Sequence, residues 1–472
     1  MKLSILPDIK IKNLQNDSRK ICSGDVFLAY PGTASDGREF IQQAVNAGAA
    51  AILYEPGHIN TQKNYAIPCV AYPNLAASLG DLACAFYGEP TRELCVVGVT
   101  GTNGKTTIAY QLAQAHELLK TPSAYIGTLG AGRVDALTLL LNTTPDALQV
   151  QQLFYGYTQA HVKTVCMEVS SHALCMGRVD GVEFTQAIYT NLSHEHLDYH
   201  KTLEAYAAAK AKLFVSPELK IAIINQDDKH AAIMQAHVPA ACKILTYGLD
   251  HASDVRGLNI RLDMRGSVLD VESCFGDFEL CLNALGRFNI YNGLAVLTSL
   301  LAYGYALPDV LAIMPKLHPS PGRMEQVADS PVVLVDYAHT PDALENALST
   351  LAELKKARLF VVFGCGGDRD TSKRAVMGRI AREYADYVIL TSDNPRTENS
   401  EAILDDIQAG VGADSSVIRI ENRQQAIRHA LELAKPDDMI LIAGKGHEAY
   451  QEIGHERFPF SDQEVVRAFL SS

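Results

Sequence analysis

The chain has 472 residues, 47% hydrophobic and 20% charged, which is ordinary globular usage spread over two to four domains at about 100–200 residues each. Forty-one basic residues against 54 acidic ones give a net charge of −13, which argues against non-specific binding to nucleic acid or an anionic membrane. Apolar runs stay far below the roughly 18 residues that span a bilayer, and ten cysteines without a C-x-x-C pair spell neither a zinc ribbon nor a disulfide framework.

The opening MKLSILPDIKIK lacks the apolar stretch of an export signal, so a reducing cytoplasm is the expected setting. The first 87 residues alternate β-rich runs (Val26–Ala29, Ala51–Tyr54, 70–72) with helical stretches at 38–47 and 74–86. Gly88-Glu89-Pro90 punctuates the chain, and a buried-strand run at 94–99 opens a second region. Strands and helices alternate up to residue 225, whereas 268–271 and Phe278–Leu282 alternate apolar and polar like added antiparallel strands. Pro319-Ser320-Pro321-Gly322 marks a further boundary. Beyond it, runs at 332–335, Leu359–Phe363, 388–390 and Met439–Ala443 each end in a loop bearing glycine or aspartate, with helical stretches between. That order predicts a parallel sheet with ligand loops at the carboxyl ends of its strands. The fold class is therefore α/β.

Gly101-Thr102-Asn103-Gly104-Lys105-Thr106-Thr107 follows the strand at 94–99 and precedes a helix with Ile108, Leu112, Ala115 and Leu119 on one face. Glycines let backbone N–H groups turn toward phosphate oxygens, and the helix N-terminus adds its dipole. Lys105 would neutralise the outer phosphates and the Thr106 hydroxyl would hold Mg²⁺. The motif predicts a nucleoside triphosphate without fixing the reaction. No G-x-G-x-x-G follows a strand, which disfavours a dinucleotide oxidoreductase.

A strand at 165–169 carries Glu168 near its carboxyl end, where a carboxylate beside a phosphate loop serves either as a Mg²⁺ ligand or as a plain strand-end charge. The string NLSHEHLDYH, residues 191–200, concentrates three histidines and two acids, but its spacing fits neither H-E-x-x-H nor a zinc finger. In the helix expected over 203–214, Leu203, Tyr206, Leu213 and Phe214 share a stripe roughly 100° wide with Lys210 in its middle, while Lys212 points away. A lysine there either snorkels along apolar surface or is functional, being chemically modified or charge-paired.

Nine strings occur in order: GVTGTNGKTT, EVSSHAL, NLSHEHLDYH with YAAAK, GRFNIYN, PGRMEQV, DYAHTPDALE, FGCGGDRD, DNPR and GKGHE. Together with Asp17-Ser18-Arg19 and Asp36-Gly37 they make essentially the whole chain resemble the Mur ligases, and among them the MurE type that adds the third residue of the peptidoglycan stem peptide. The resemblance implies a uridine-nucleotide domain (1–88), a central ATPase domain (89–318) whose mostly parallel sheet carries antiparallel strands, and a carboxy-terminal Rossmann-like, amino-acid-binding domain (319–472).

It also implies site residues. Lys210 matches a lysine carbamylated by CO₂ that becomes a Mg²⁺ ligand beside Glu168 and His196. Gly101 to Thr107 would hold ATP phosphates, with Asn289, Arg323 and Asp336 at the base, phosphates and ribose. Asn142, Thr143, Thr144, Ser170 and Arg178 would hold UDP-N-acetylmuramoyl-L-Ala-D-Glu, with Ser18 at the uridine. Met176 stands where many relatives carry glutamine, which puts that one polar contact in question. Arg369, Asp393, Asn394, Pro395, Arg396, Gly444 and Glu448 would read the incoming meso-diaminopimelate, Arg396 through its fork on a carboxylate and Glu448 on an ammonium. The implied protein is a cytoplasmic monomer that binds neither nucleic acid nor membrane. The alternatives are a lysine-adding or other sibling ligase, a P-loop regulator without catalysis and a zinc hydrolase. Against the sibling ligases stands the pair DNPR and GKGHE; against the regulator, an intact lysine and metal set.

Overall fold

In the computed structural model, the described residues are 5–6, 9–32, 35–57, 65–193, 195–412 and 415–471; the side chains of Leu197 and Asp198 and all of His194, from the histidine-rich string, lie outside them. Three large sheets organise the chain, and a two-stranded hairpin, Tyr450–Ile453 with Glu456–Pro459, makes a fourth. The first is four-stranded and parallel, with strands Leu14–Gln15, Val26–Ala29, Ala51–Tyr54 and Cys69–Ala71 in sequence order. The helix expected over 38–47 is a 3₁₀ turn, Gly37–Phe40, running into the short helix Ile41–Asn46. Asp36 accepts the Arg38 amide and so starts the turn at the Gly37 position. The second expected helix begins later, at Leu79, because Asn74 sits at φ +57°, outside helical space.

The second sheet has eleven strands. Cys95–Thr100 lies at its centre between Thr164–Glu168 and Gln186–Tyr189, parallel to both. All three strands are β-rich apolar runs without a polar face, as expected of strands covered on both sides. Ile108, Leu112 and Ala115 of helix Lys105–Leu118 join Leu294, Leu297 and Leu300 of helix Arg287–Tyr303 in the core on one face, while Phe154, Tyr206 and Phe214 belong to the core on the other. The antiparallel extension is present as Val255–Asp263, Gly266–Ser273 and Phe278–Leu282. A hairpin-like edge, Ser123–Gly127, Gly130–Arg133 and Ala136–Thr138, closes the opposite side.

The third sheet has six strands in the order Glu325–Asp329, Val332–Asp336, Met439–Ala443, Leu359–Phe363, Tyr387–Leu390, Val417–Arg419, parallel except for the first. Its helices cover both faces. The carboxyl ends of Leu359–Phe363, Tyr387–Leu390 and Met439–Ala443 lie on adjacent or near-adjacent strands, so the three loops that follow are neighbours. All ten cysteines are free, and among the described residues no helix is long and apolar enough to cross a membrane.

Candidate active site

The phosphate loop is held open by its glycines and clamped by the next strand's loop. A β-carbon at Gly101 would collide with Thr190 Oγ1, and Gly104 has φ +88°, so each position requires glycine. Asn191 Oδ1 accepts the Asn103 amide at 2.9 Å, and Thr190 Oγ1 donates to the Asn103 carbonyl at 2.6 Å. Thr102 lies in the same turn, its amide on the Asn191 carbonyl at 2.8 Å. Lys105 folds back on its own loop, donating to the Gly101 and Thr102 carbonyls at 2.8 Å each. Burial lowers its pKa, opposed by the nearby Glu168 and Glu195 carboxylates.

Glu168 lies at the end of its buried strand and accepts from Thr106 Oγ1 (2.9 Å), Tyr125 OH (2.5 Å) and the Thr128 amide (2.8 Å). Thr106 and Glu168 therefore form an all-oxygen pair at the mouth of the phosphate loop, a donor set that suits Mg²⁺. Among the described residues no group of three or more His, Cys, Asp or Glu is placed to hold a metal ion.

These groups border one cleft of about 380 Å³, lined by Thr102 to Thr106, Asn142, Thr143, Thr144, Glu168, Ser170, Met176, Arg178, Glu195, His196 and Arg323 among others. Its walls explain themselves locally. Ser170 caps helix Ser171–Cys175 by accepting the Ala173 amide. Thr144 donates its hydroxyl to the Glu168 carbonyl at 2.9 Å, and Arg178 reaches the Thr144 carbonyl at 3.0 Å. Met176 is half exposed, with the Arg178 guanidinium 3.3 Å from its sulfur. His196, at φ +58°, sits 3.8 Å from Glu195, whose other oxygen is 3.7 Å from His339. Although burial opposes ionisation, His339, His196 and Lys105 hold the Glu195 carboxyl down at about 2. Burial first, then the neighbouring His172, Lys105 and Lys210, lowers the His196 pKa against the pull of Glu195.

Lys210 does not line the cleft but lies directly behind it. It is 1% exposed, with Nζ 4.3 Å from the centroid of the Tyr206 ring, and among the described residues no carboxylate pairs with it. Burial, reinforced by the Lys105 charge, pushes its pKa far down. A neutral buried amine is the form that can add CO₂. Lys212 is exposed on the opposite side, as the helical spacing predicts, although the α-helix ends at Ala211 and Lys212–Phe214 tightens into a 3₁₀ turn that buries Leu213 and Phe214.

A second cleft of about 520 Å³ opens on the other side of the phosphate loop, lined by Asn103, Gly104, Thr106, Thr107, Asp227, Tyr291, Asn292, Arg323 and Asp336 among others. Asn289 does not line this cleft: it borders a separate one of about 360 Å³ with Tyr110, Leu285 and Pro319, and it accepts at 3.1 Å from Asn292 Nδ2, which does line the phosphate-loop cleft. Asp336 accepts the Met324 and Ala338 amides, yet burial raises its pKa. Ser18 lies apart from both clefts in the first sheet's unit, buried, with its hydroxyl on Gln43.

The three loops of the third sheet do converge. The Gly367 amide donates to the Asn394 carbonyl at 2.9 Å, and Arg396 Nη1 to the Gly367 carbonyl at 2.8 Å. Asn394 Nδ2 donates to Glu448 at 2.9 Å, and a side chain at Gly444 would strike Asp393. The Pro395 carbonyl packs so closely on Gly367 that no β-carbon fits there. Arg369 points outward, exposed. Glu195, His339, Asn292, Asp227 and Lys445 were not read from sequence as site residues, although all but Asp227 lie in strings singled out there, NLSHEHLDYH, DYAHTPDALE, GRFNIYN and GKGHE.

A three-sheet α/β chain with a phosphate loop facing a threonine–glutamate pair, and a separate loop cluster on a parallel sheet, defines a phosphate-loop enzyme that brings a nucleotide and further substrates together. The chain belongs to the Mur ligase family. The Mur ligase family catalytic domain matches residues 10–87, the Mur ligase middle domain 99–300, and the Mur ligase glutamate ligase domain 322–446. It is 45% identical to the UDP-N-acetylmuramoyl-L-alanyl-D-glutamate--2,6-diaminopimelate ligase of Chromobacterium violaceum, covering 100% of this chain and 98% of that one. The Pseudomonas aeruginosa protein of the same name is also 45% identical, over 98% and 96% of the two chains. A solved structure of a ligase of that name superposes with a TM-score of 0.71 at 38% identity, over 98% of this chain and 95% of the other.

Proposed function

We propose that this protein is an ATP-dependent ligase that joins meso-2,6-diaminopimelate to UDP-N-acetylmuramoyl-L-alanyl-D-glutamate, a step of peptidoglycan synthesis. The carrying observation is the single cleft in which the phosphate loop, Glu168 and the Asn142–Thr144, Ser170 and Arg178 wall face one another. Such a cleft brings a terminal phosphate and a substrate carboxylate within reach of the same cations.

In the reaction, a free carboxylate oxygen of D-glutamate bonds to the γ-phosphorus of ATP as the bond to ADP breaks, leaving an acyl phosphate. The amine of diaminopimelate then bonds to the acyl carbon, loses a proton, and inorganic phosphate departs. Anionic groups approach one another in the first step, and Lys105 and Arg178 supply positive charge in a site partly withdrawn from water. Thr106, Glu168, His196 and a carbamylated Lys210 would hold Mg²⁺, which supplies Lewis-acid stabilisation of phosphate charge when bound. Lys105 leaves its loop carbonyls to meet the phosphates, and Asn292, bonded to Asn289, faces the nucleotide with Arg323 and Asp336. Ser18 serves the uridine end, and Arg396 and Glu448, with Arg369 on the adjoining exposed loop, serve the amino acid. The division into domains at 1–88, 89–318 and 319–472 accompanies this reading, with the protein working as a cytoplasmic monomer.

The test is phosphate release with ATP and the nucleotide dipeptide, comparing meso-diaminopimelate, L-lysine and no amino acid. Release only with meso-diaminopimelate is expected. Release with neither amino acid would sink the ligase reading, and equal release with lysine would sink the amino-acid assignment alone.

A further inference from the structure

The amino-acid loops are built around a buried cation. Lys445 is fully buried, and its Nζ donates to Asn394 Oδ1 at 2.9 Å and to Glu448 Oε2 at 3.0 Å. The two acceptors are themselves joined, Asn394 Nδ2 donating to the same Glu448 oxygen at 2.9 Å. The Glu452 amide closes the arrangement on Asn394 Oδ1, also at 2.9 Å. Below it, Arg423 and Asp462 form a fully buried pair, with Arg423 also donating to the Ala443 carbonyl at 3.0 Å just ahead of the GKGHE turn. The floor of the loop cluster is thus built from paired charges.

Each bond has a consequence. An amide side chain can face either way, but a cation on its oxygen and a carboxylate on its nitrogen leave Asn394 one orientation. One Glu448 oxygen is taken by Lys445 and Asn394, which leaves the other as the acceptor presented outward. Without that cation Glu448 and Asn394 each lose a charged hydrogen bond, and the Asn394 amide is no longer held to one orientation. Lys445 itself is too deep to touch a substrate.

We infer that Lys445 is a positioning residue for amino-acid recognition: it fixes the Asn394 amide and the Glu448 carboxylate so that together they receive a zwitterionic amino-acid end. This deepens the function proposed above and rests on its assignment of Asn394 and Glu448 to the incoming amino acid. A residue acting through two others at one substrate should move the KM for that substrate and spare the rest. The scale is one lost charged hydrogen bond, roughly 10- to 100-fold.

The experiment measures KM for meso-diaminopimelate, ATP and the nucleotide dipeptide, with kcat and thermal midpoint, in full-length wild type, Lys445→Met and Glu448→Gln. Lys445→Met is expected to raise only the meso-diaminopimelate KM, with the other two within about two-fold. Because a buried methionine leaves Glu448 without its partner and could unfold the domain, Lys445→Gln is measured too. It keeps a donor without the charge and should give the same selective rise at smaller amplitude. A rise shared equally by all three substrates in the folded variants, or no rise, would overturn the inference. If Glu448→Gln leaves the meso-diaminopimelate KM unchanged, the amino-acid site itself is misassigned; if Glu448→Gln raises it while both Lys445 variants do not, only the role of Lys445 fails.

Discussion

Thr106 and Glu168 meet at 2.9 Å across two parallel strands, hydroxyl to carboxylate, although 62 residues separate them. The register that pairs Val99 with Glu168 puts the first turn after one strand beside the last residue of the other. Glu168 is further pinned by Tyr125 and Thr128, so its oxygens have one place to be. Glu168→Gln keeps the size but forfeits the charge, and Gln has only one acceptor oxygen for four donors. We expect kcat to fall by about 10²-fold or more, the scale of one lost electrostatic element, with the nucleotide-dipeptide Kd nearly unchanged. Steady-state rates beside calorimetry would check both halves, and a near-normal kcat would remove Glu168 from the metal set.

Lys210→Ala should lose most activity, and bicarbonate with a small carboxylic acid should partly restore it if a carbamate is the working group. Lys212→Ala, at an exposed position on the other side of the turn, should be nearly silent. Near-normal turnover in Lys210→Ala without additives would remove the carbamate from the mechanism.

Lys105→Ala should abolish ligation and leave binding of the uridine substrate largely intact, because Lys105 sits in the phosphate loop and Ser18 in a different sheet's unit. Equal loss of both affinities in calorimetry, with the fold intact, would contradict that separation.

His116 gives a prediction about acid stability. It is buried, 2.8 Å from Tyr305 OH and flanked by Tyr303, and burial pushes its pKa down to about 4. The unfolded chain takes up that proton near pH 6.5, so the folded state binds fewer protons between about 6.5 and 4. Stability from this group is whole above pH 6.5 and declines as pH falls through that window, by up to about 3 kcal/mol. Urea midpoints at several pH values should fall more steeply in wild type than in His116→Gln. Parallel slopes would show that His116 is not the group responsible.

What the sequence discloses and what it withholds follow from distance along the chain. The phosphate loop is a contiguous string whose glycines and lysine act on their own turn, so it reads without a fold. Lys210 is legible because helical periodicity places it among Leu203, Tyr206 and Phe214, whose burial can be expected in advance. The outermost strands Gly130–Arg133 and Ala136–Thr138 escape notice because they are only four and three residues long, with little alternation to detect. Glu195 meets His339 from 144 positions away, and Lys445 meets Asn394 from 51, encounters that only the sheet order creates. Arg374 is another such case: nearly fully buried, it joins Glu398 and Asp406 beneath the loop cluster, and nothing in its local pattern marks it as internal.

Arg396 is the residue expected to select meso-diaminopimelate over L-lysine. It occupies a left-handed backbone position, φ +50°, fixed by its amide on the Glu452 carbonyl and its own carbonyl under the Gly454 amide. The side chain is mostly buried, with Nη1 on the Gly367 carbonyl and Nε 3.5 Å from the Glu452 carboxylate. Nη1 and Nε are therefore engaged in holding the loops, which leaves the Nη2 donors for a ligand carboxylate. Meso-diaminopimelate offers that carboxylate at its distal end and L-lysine does not. A site built for a polar partner rejects an analogue that lacks it by roughly 10⁴-fold or more. Glu452 partly compensates the guanidinium when lysine is bound, so discrimination here should lie at the lower end, on the order of 10³- to 10⁴-fold. Arg396→Lys keeps the charge but not the fork, and should cut kcat/KM for meso-diaminopimelate sharply. It should not create good lysine activity, since losing the fork adds no contact for a lysine side chain. Competition between the two amino acids, read by mass analysis of the product in wild type and variant, decides the matter: wild type joining both equally would end the selectivity assignment while leaving the ligase chemistry standing.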